Sequence, residues 1–200
     1  MRRFLATTLL GLLVAAPVMA KPTTYTLDPN HTQVRVVWNH FGFSNPDANF
    51  TNITGTLVFD PQHPSQDHVR VKIPLSGIDT HVPALDEHLK GPDFFNVAKY
   101  PTATFDSTKV VKAGVGMLTI IGNLTVHGIT HQVTLHAKVN KIGMQPMWHA
   151  QAAGFDATTT LKRSDFGVAK YAPMVSDTVK LHITVEAIEA KAYAKATQHN

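Results

Sequence analysis

No cysteine occurs anywhere in the 200 residues. That absence excludes thiolate catalysis, iron–sulfur clusters and thiolate zinc sites, and folding needs no disulfide-forming partner. Charge is sparse as well, with Asp, Glu, Lys and Arg making up 16% of the chain. No basic run is longer than the pair Lys162-Arg163, so the electrostatic footprint of a nucleic-acid or anionic-membrane binder is missing, and no nucleic-acid partner is expected. Long apolar runs are scarce too. The stretch from Leu9 to Ala16 is shorter than the roughly 20 residues a spanning helix needs, and no later segment comes near that length. The nucleotide-binding glycine loops and the G-x-S-x-G elbow are also lacking, leaving nucleophilic catalysis without a candidate. No enzyme, cofactor or metal is therefore expected.

Arg2 and Arg3, the apolar run and the small-residue site Val18-Met19-Ala20 read as a cleavable export signal over residues 1–20, with Lys21 first in the mature chain. Removing those two arginines leaves 16 basic against 14 acidic residues, a formal charge of +2 rather than +4. The remaining length is enough for one core of ordinary size.

Alternation with period two dominates the mature chain. Val69, Val71, Ile73 and Leu75 alternate with Arg70, Lys72 and Pro74. Val133, Leu135, Ala137 and Val139 alternate with Thr134, His136 and Lys138, and Val179, Leu181, Ile183, Val185 and Ala187 with Lys180, His182, Thr184 and Glu186. Each stretch is a strand with one dry face. Further strands are expected at Gln33 to Phe41, Phe50 to Asp60, Thr102 to Val111, Met117 to Val126 and Gln151 to Arg163, between clusters of turn residues. His127-Gly128 joins two of them as a tight turn. Pro83 to Leu89 is the one helix expected, opened by proline and ended by Gly91-Pro92. Residues 190–200 read as a polar, frayed tail.

About eight antiparallel strands must hide their edges by closing into a barrel or doubling into a sandwich, and pattern alone does not choose. A barrel of that size has room for packed side chains or one elongated ligand.

Several segments, in order, resemble the bacterial YceI-like family. YTLDPNH at Tyr25 to His31 is similar to the family's opening, HFGFS at His40 to Ser44 to its first turn, and GTLVFDP at Gly55 to Pro61 to its second strand pair. Ile78 to Phe105 resembles the signature in which a threonine is followed by D-x-H-L, D-F-F and Y-P-x-x-F. Gly122 to Val133 is similar to the G-x-L-T-x-x-G hairpin, Arg163 to Val168 to the R-x-D-F-G turn, and Val175 to Ala187 to the closing strand. Leu85 stands where a basic residue is common, Ala48-Asn49 replace the usual glycine, and His131 replaces a lysine. The resemblance implies an all-β fold over residues 21–189, an antiparallel eight-stranded lipocalin-like barrel with one short helix at a mouth. It implies a periplasmic carrier of a polyisoprenoid, an isoprenoid quinone or another long-chain apolar lipid, and it allows a homodimer.

On that reading the apolar residues carry the binding. Val36, Trp38, Phe50, Val71, Ile73 and Leu75 would line the channel with Leu135, Phe155, Leu181 and Ile183. Phe94, Phe95 and Phe105 would join them, with Leu85 and Leu89 from the helix. The same residues would serve equally as packed core. Asp86, His88 and Arg163 are the candidates for contact with a polar head group at the mouth, although Asp86 also suits a helix start and Asp165 a turn. The twelve histidines raise a metal-binding envelope stress protein as a rival. His127, His131 and His136 around a turn do not enforce a common ligand face, and His81 and His88 merely flank the helix. A lipid-processing enzyme is the other rival.

Overall fold

The computed structural model describes residues 22–198. The proposed signal, residues 1–20, lies outside them, as do Lys21, His199 and Asn200.

The first three hairpin arms are interrupted strands. β1 (Thr23–Leu27) and β2 (Gln33–Val37) run in one direction and both pair with the last strand, β11 (Thr178–Glu189): Tyr25 opposes Glu189, and Val36 opposes Leu181. β3 (Asp47–Phe50) and β4 (Thr54–Phe59) return beside them. β5 (His68–Pro74) pairs with β4, and the two-residue β6 (Ile78–Asp79) with β3. The breaks at Asp28–Thr32, Thr51–Ile53 and Leu75–Gly77 lie side by side on one wall. Four long strands complete the ring: β7 (Thr102–Gly114), β8 (Met117–Val126), β9 (Ile129–Gln145) and β10 (Ala150–Lys162). The order around the ring is β1, β4, β5, β7, β8, β9, β10, β11 and back to β1, every contact antiparallel. Counting each interrupted pair once gives eight strands in a closed barrel, so the open sandwich is excluded.

The alternation sets which side faces in. Val133, Ala137, Phe155, Ala157 and Val179 are buried, while their neighbours Thr134, Lys138, Asp156, Thr158 and Lys180 are exposed. At the β8–β9 turn His127 and Gly128 have φ of 53° and 76°, the doubly left-handed geometry of the primed turns that match strand twist. Gly122 on β8 leaves room for a side chain of the neighbouring strand β7. A Cβ on Gly122 would lie 2.5 Å from Phe105 Cζ and 2.7 Å from the Asp106 carbonyl, so the Phe105 ring packs directly over bare backbone.

Three expectations are corrected. The strand expected over Phe50 to Asp60 is broken at Asn52, whose φ is 58°. The strand expected to reach Phe41 ends at Val37, because the chain turns tightly at His40, whose amide donates to the Ser44 carbonyl at 2.9 Å. The polar tail is instead a second helix, α2 (Ala190–Thr197), following α1 (Pro83–Lys90). Ala190, Ala192, Ala194 and Ala196 favour the helix intrinsically, and Tyr193 stacks on Trp148 with ring centroids 5.2 Å apart and planes at 16°.

Candidate binding chamber

The barrel is not solid. A chamber of about 460 Å³ lies under α1, and a smaller cavity of about 130 Å³ lies deeper along the axis. Val34, Ile73, Leu124 and Leu181 line both, so these four side chains stand between the two apolar spaces.

α1 closes the wide end. Its axis is held by Asp86, which accepts from the Thr80 amide at 2.8 Å and the Thr80 hydroxyl at 2.6 Å. Those bonds, the hydroxyl first, hold the Asp86 carboxyl below the usual carboxylate range. With Asp86 turned to Thr80, Leu85 and Leu89 face the chamber. The segment after the helix folds back under it, the Phe95 amide donating to the Leu89 carbonyl at 3.0 Å, and this sets Phe94 and Phe95 into the wall. Phe95 meets Phe50 edge to face with centroids 5.9 Å apart.

Of the residues expected in the channel, Val36, Trp38, Phe50, Leu75, Leu85, Leu89, Phe94 and Phe95 line the wide chamber. Val71, Phe105, Leu135, Phe155 and Ile183 line the deep cavity, and Ile73 and Leu181 line both. The head-group candidates separate. His88 borders the wide chamber, its ring 4.9 Å from Phe94 and 6.3 Å from Tyr171. Asp86 does not border it. Arg163 does, but its donors are engaged: Nε to the Ser176 carbonyl at 2.9 Å, Nη1 to Val168 and Lys170 at 2.6 and 2.9 Å, and Nη2 to Val175 at 2.7 Å. Arg163 therefore staples the 168–176 loop onto the rim. Lys170 of that loop pairs with Asp93 across the mouth.

Sequence reasoning missed this loop's share of the wall, Val168, Tyr171 and Val175, because its residues follow neither strand nor helix period. It also missed Leu27 and Leu57 on short strands, Ile53 in the break between β3 and β4, and Leu118 on β8, whose pattern does not alternate strictly. Asp67 at the deep end gave no signal either. It is buried, Oδ2 has no partner, and burial pushes its carboxyl up to about 6.

The histidine cluster does not converge. His127 packs edge-on against Tyr100 at 4.7 Å and His131 against Phe166 at 5.3 Å. Among the described residues, the one grouping with ligand atoms all within 4.8 Å is Asp28, His31 and Glu186. Asp28 there serves the turn, accepting from the Asn30 amide at 3.0 Å and bonding His31 Nδ1 at 2.7 Å.

A closed eight-stranded antiparallel barrel with a helix-capped apolar interior defines a lipocalin-like binding-barrel class. The YceI-like domain model matches residues 25–187, and the chain belongs to the YceI-like family. It is 37% identical over 190 residues to a UPF0312 protein of Yersinia pestis strain Pestoides F, covering 92% of this chain and 98% of that one. A UPF0312 protein of Pseudomonas paraeruginosa is also 37% identical over 190 residues, covering 94% and 98%. Among solved structures, the Campylobacter jejuni YceI protein superposes with a TM-score of 0.68 at 29% identity, covering 76% of this chain and 89% of that chain. Burkholderia cenocepacia BcnA gives 0.73 at 24%, covering 80% and 98%. A polyisoprenoid-binding domain from Saccharophagus degradans, implicated in plant cell wall breakdown, gives 0.65 at 14%, covering 84% and 99%. These last two share the fold.

Proposed function

We propose that this protein is a periplasmic carrier that holds one long-chain apolar lipid, a polyisoprenoid or an isoprenoid quinone, along the barrel axis, and that it binds without catalysis. The observation that carries the reading is the pair of axial cavities that share Ile73 and Leu181 on their walls and are bounded almost wholly by aliphatic and aromatic side chains. A pocket of this size and character is suited to a flexible chain. Each buried CH₂ contributes about 0.8 kcal/mol of gross affinity, so even a partial fit supplies a large gross term against the cost of ordering a long tail. Shape rather than head-group chemistry selects the ligand, which predicts tolerance among long flexible hydrophobes. Residues 1–20 supply the export that a periplasmic carrier needs.

Organic extraction of the purified protein followed by mass spectrometry is the test. A co-purifying long-chain lipid at near-stoichiometric amount is expected. A lipid-free extract with stoichiometric zinc or copper would replace the reading by the metal-binding one, and turnover of a bound lipid would replace it by an enzyme.

A further inference from the structure

One seam of the barrel is only half closed. β9 pairs with β10 from Gln145 opposite Ala150 as far as His136 opposite Thr158, and there the pairing stops. Continued in register, Thr134 would face Thr160 and Val133 would face Leu161. Instead Ile129–Leu135 is held by β8 alone and Thr159–Lys162 by β11 alone. Unpaired strand edges are costly when dry and invite water or a guest. A cleft of about 940 Å³ occupies the gap.

The cleft backs directly onto the interior. Val133, Thr159 and Leu181 line both it and the deep cavity, while Leu161 and Phe166 line both it and the wide chamber. The barrier between outside and inside is thus one side chain thick. Its innermost part is Phe166, buried against Phe105, Leu124, Val133 and Leu161. Phe166 is carried on the short 3-10 turn Arg163–Phe166, ended by Gly167 at φ 73°, rather than on a strand. Around the outer lip stand Lys162, Lys180, His131, His136 and His182, with Asp165 the one carboxylate among the lining residues.

We propose that this seam is a lateral portal: the chain of an anionic-headed amphiphile enters between β9 and β10 past Phe166, while its phosphate or carboxylate stays on the basic lip at Lys162 and Lys180. The proposal rests on the carrier reading and narrows it: the tail is still selected by shape, but the basic lip favours an anionic-headed lipid over an uncharged quinone, and the seam gives the route. Entry from the side lets the tail slide in without passing the α1 cap or unzipping a paired strand. The basic lip attracts the head and speeds encounter.

Because the chain has no cysteine, the exposed lip residues can be bridged selectively. Thr134→Cys with Thr160→Cys, joined after folding by a short bismaleimide, fills the gap. The same double variant capped with N-ethylmaleimide is the control. The probes are the fluorescent fatty acid cis-parinaric acid and its methyl ester, followed by stopped flow. Bridging is expected to slow uptake of both probes by roughly tenfold or more, as closing an access gate does. Phe166→Ala is expected to speed both uptake and release. Lys162→Gln with Lys180→Gln is expected to slow the acid but not the ester. Unchanged uptake by the bridged protein overturns the portal while leaving the carrier standing. Equal effects of the lysine changes on acid and ester overturn the anionic lip. Failure of the unsubstituted protein to take up either probe overturns the carrier reading itself, and the portal with it.

Discussion

The backbone amide of Asp60 donates to Oδ1 of Asp67 at 2.7 Å, while Oδ2 of Asp67, buried at the deep end of the barrel, has no partner. Burial pushes the Asp67 carboxyl from 3.8 up to about 6, the nearby Asp60 charge adding to it and the amide bond opposing it.

A carboxyl with a raised folded pKa holds its proton more tightly in the native state, so stability is highest while Asp67 is neutral and declines as pH rises from about 4 through 6. Asp67→Asn keeps an acceptor for the Asp60 amide and removes the buried charge. It is expected to be more stable than the parent at pH 8 by up to about 3 kcal/mol and to flatten that decline. Thermal melts of both proteins from acid to neutral pH and on to pH 8 check this, and a variant less stable than the parent at pH 8 contradicts it.

Arg163 gives its guanidinium to four backbone carbonyls between Val168 and Ser176. Arg163→Met strands those acceptors and is expected to cost about 2 to 4 kcal/mol. Arg163→Lys should recover only part of it, since an ammonium cannot reproduce the planar fork. Urea titration gives the magnitude, and amide exchange should show the loss concentrated at residues 168–176. A uniform loss across the barrel would argue against the staple.

Ile73 stands between the wide and deep spaces. In a filled core, Ile73→Trp would cost about 1 to 3 kcal/mol by overpacking. In an open passage the ring occupies ligand space, so apo stability should change little and lipid loading should fall sharply. Melting of the delipidated variant and its extractable lipid are to be measured together. A large drop in melting temperature, or parental loading, refutes the passage at this point.

Tyr193 on α2 stacks against Trp148. Tyr193→Ala is expected to shift Trp148 fluorescence and to cost about 1 kcal/mol or a little more, the worth of an aromatic pair with its burial. The Tyr193→Ala, Trp38→Phe double variant isolates the Trp148 signal; no spectral change there would mean that α2 is not docked in solution.

The strands with strict alternation, β5, β9 and β11, were legible because a half-buried strand must place every second side chain inward. The inward residues named from that pattern border the observed cavities for the same reason. Solid core and open chamber could not be told apart by it, since both demand the same apolar faces. β1 and the breaks in β3/β4 and β5/β6 were illegible, because such short pieces carry too little period to count.

The sequence by itself determined the all-β class: period two over most of the chain, turn residues between the runs, and a lone proline-led helix leave an antiparallel sheet that must either close into a barrel or double into a sandwich. Which residues meet across that sheet was decided only in three dimensions. Asp86 turned to Thr80 rather than to the mouth, Arg163 spent its donors on a loop within thirteen residues of it, and α2 formed because Trp148 waited for Tyr193. The half-open seam between β9 and β10 was likewise invisible in one dimension. Both of its lips alternate like paired strands, so nothing in the pattern marks where the pairing stops.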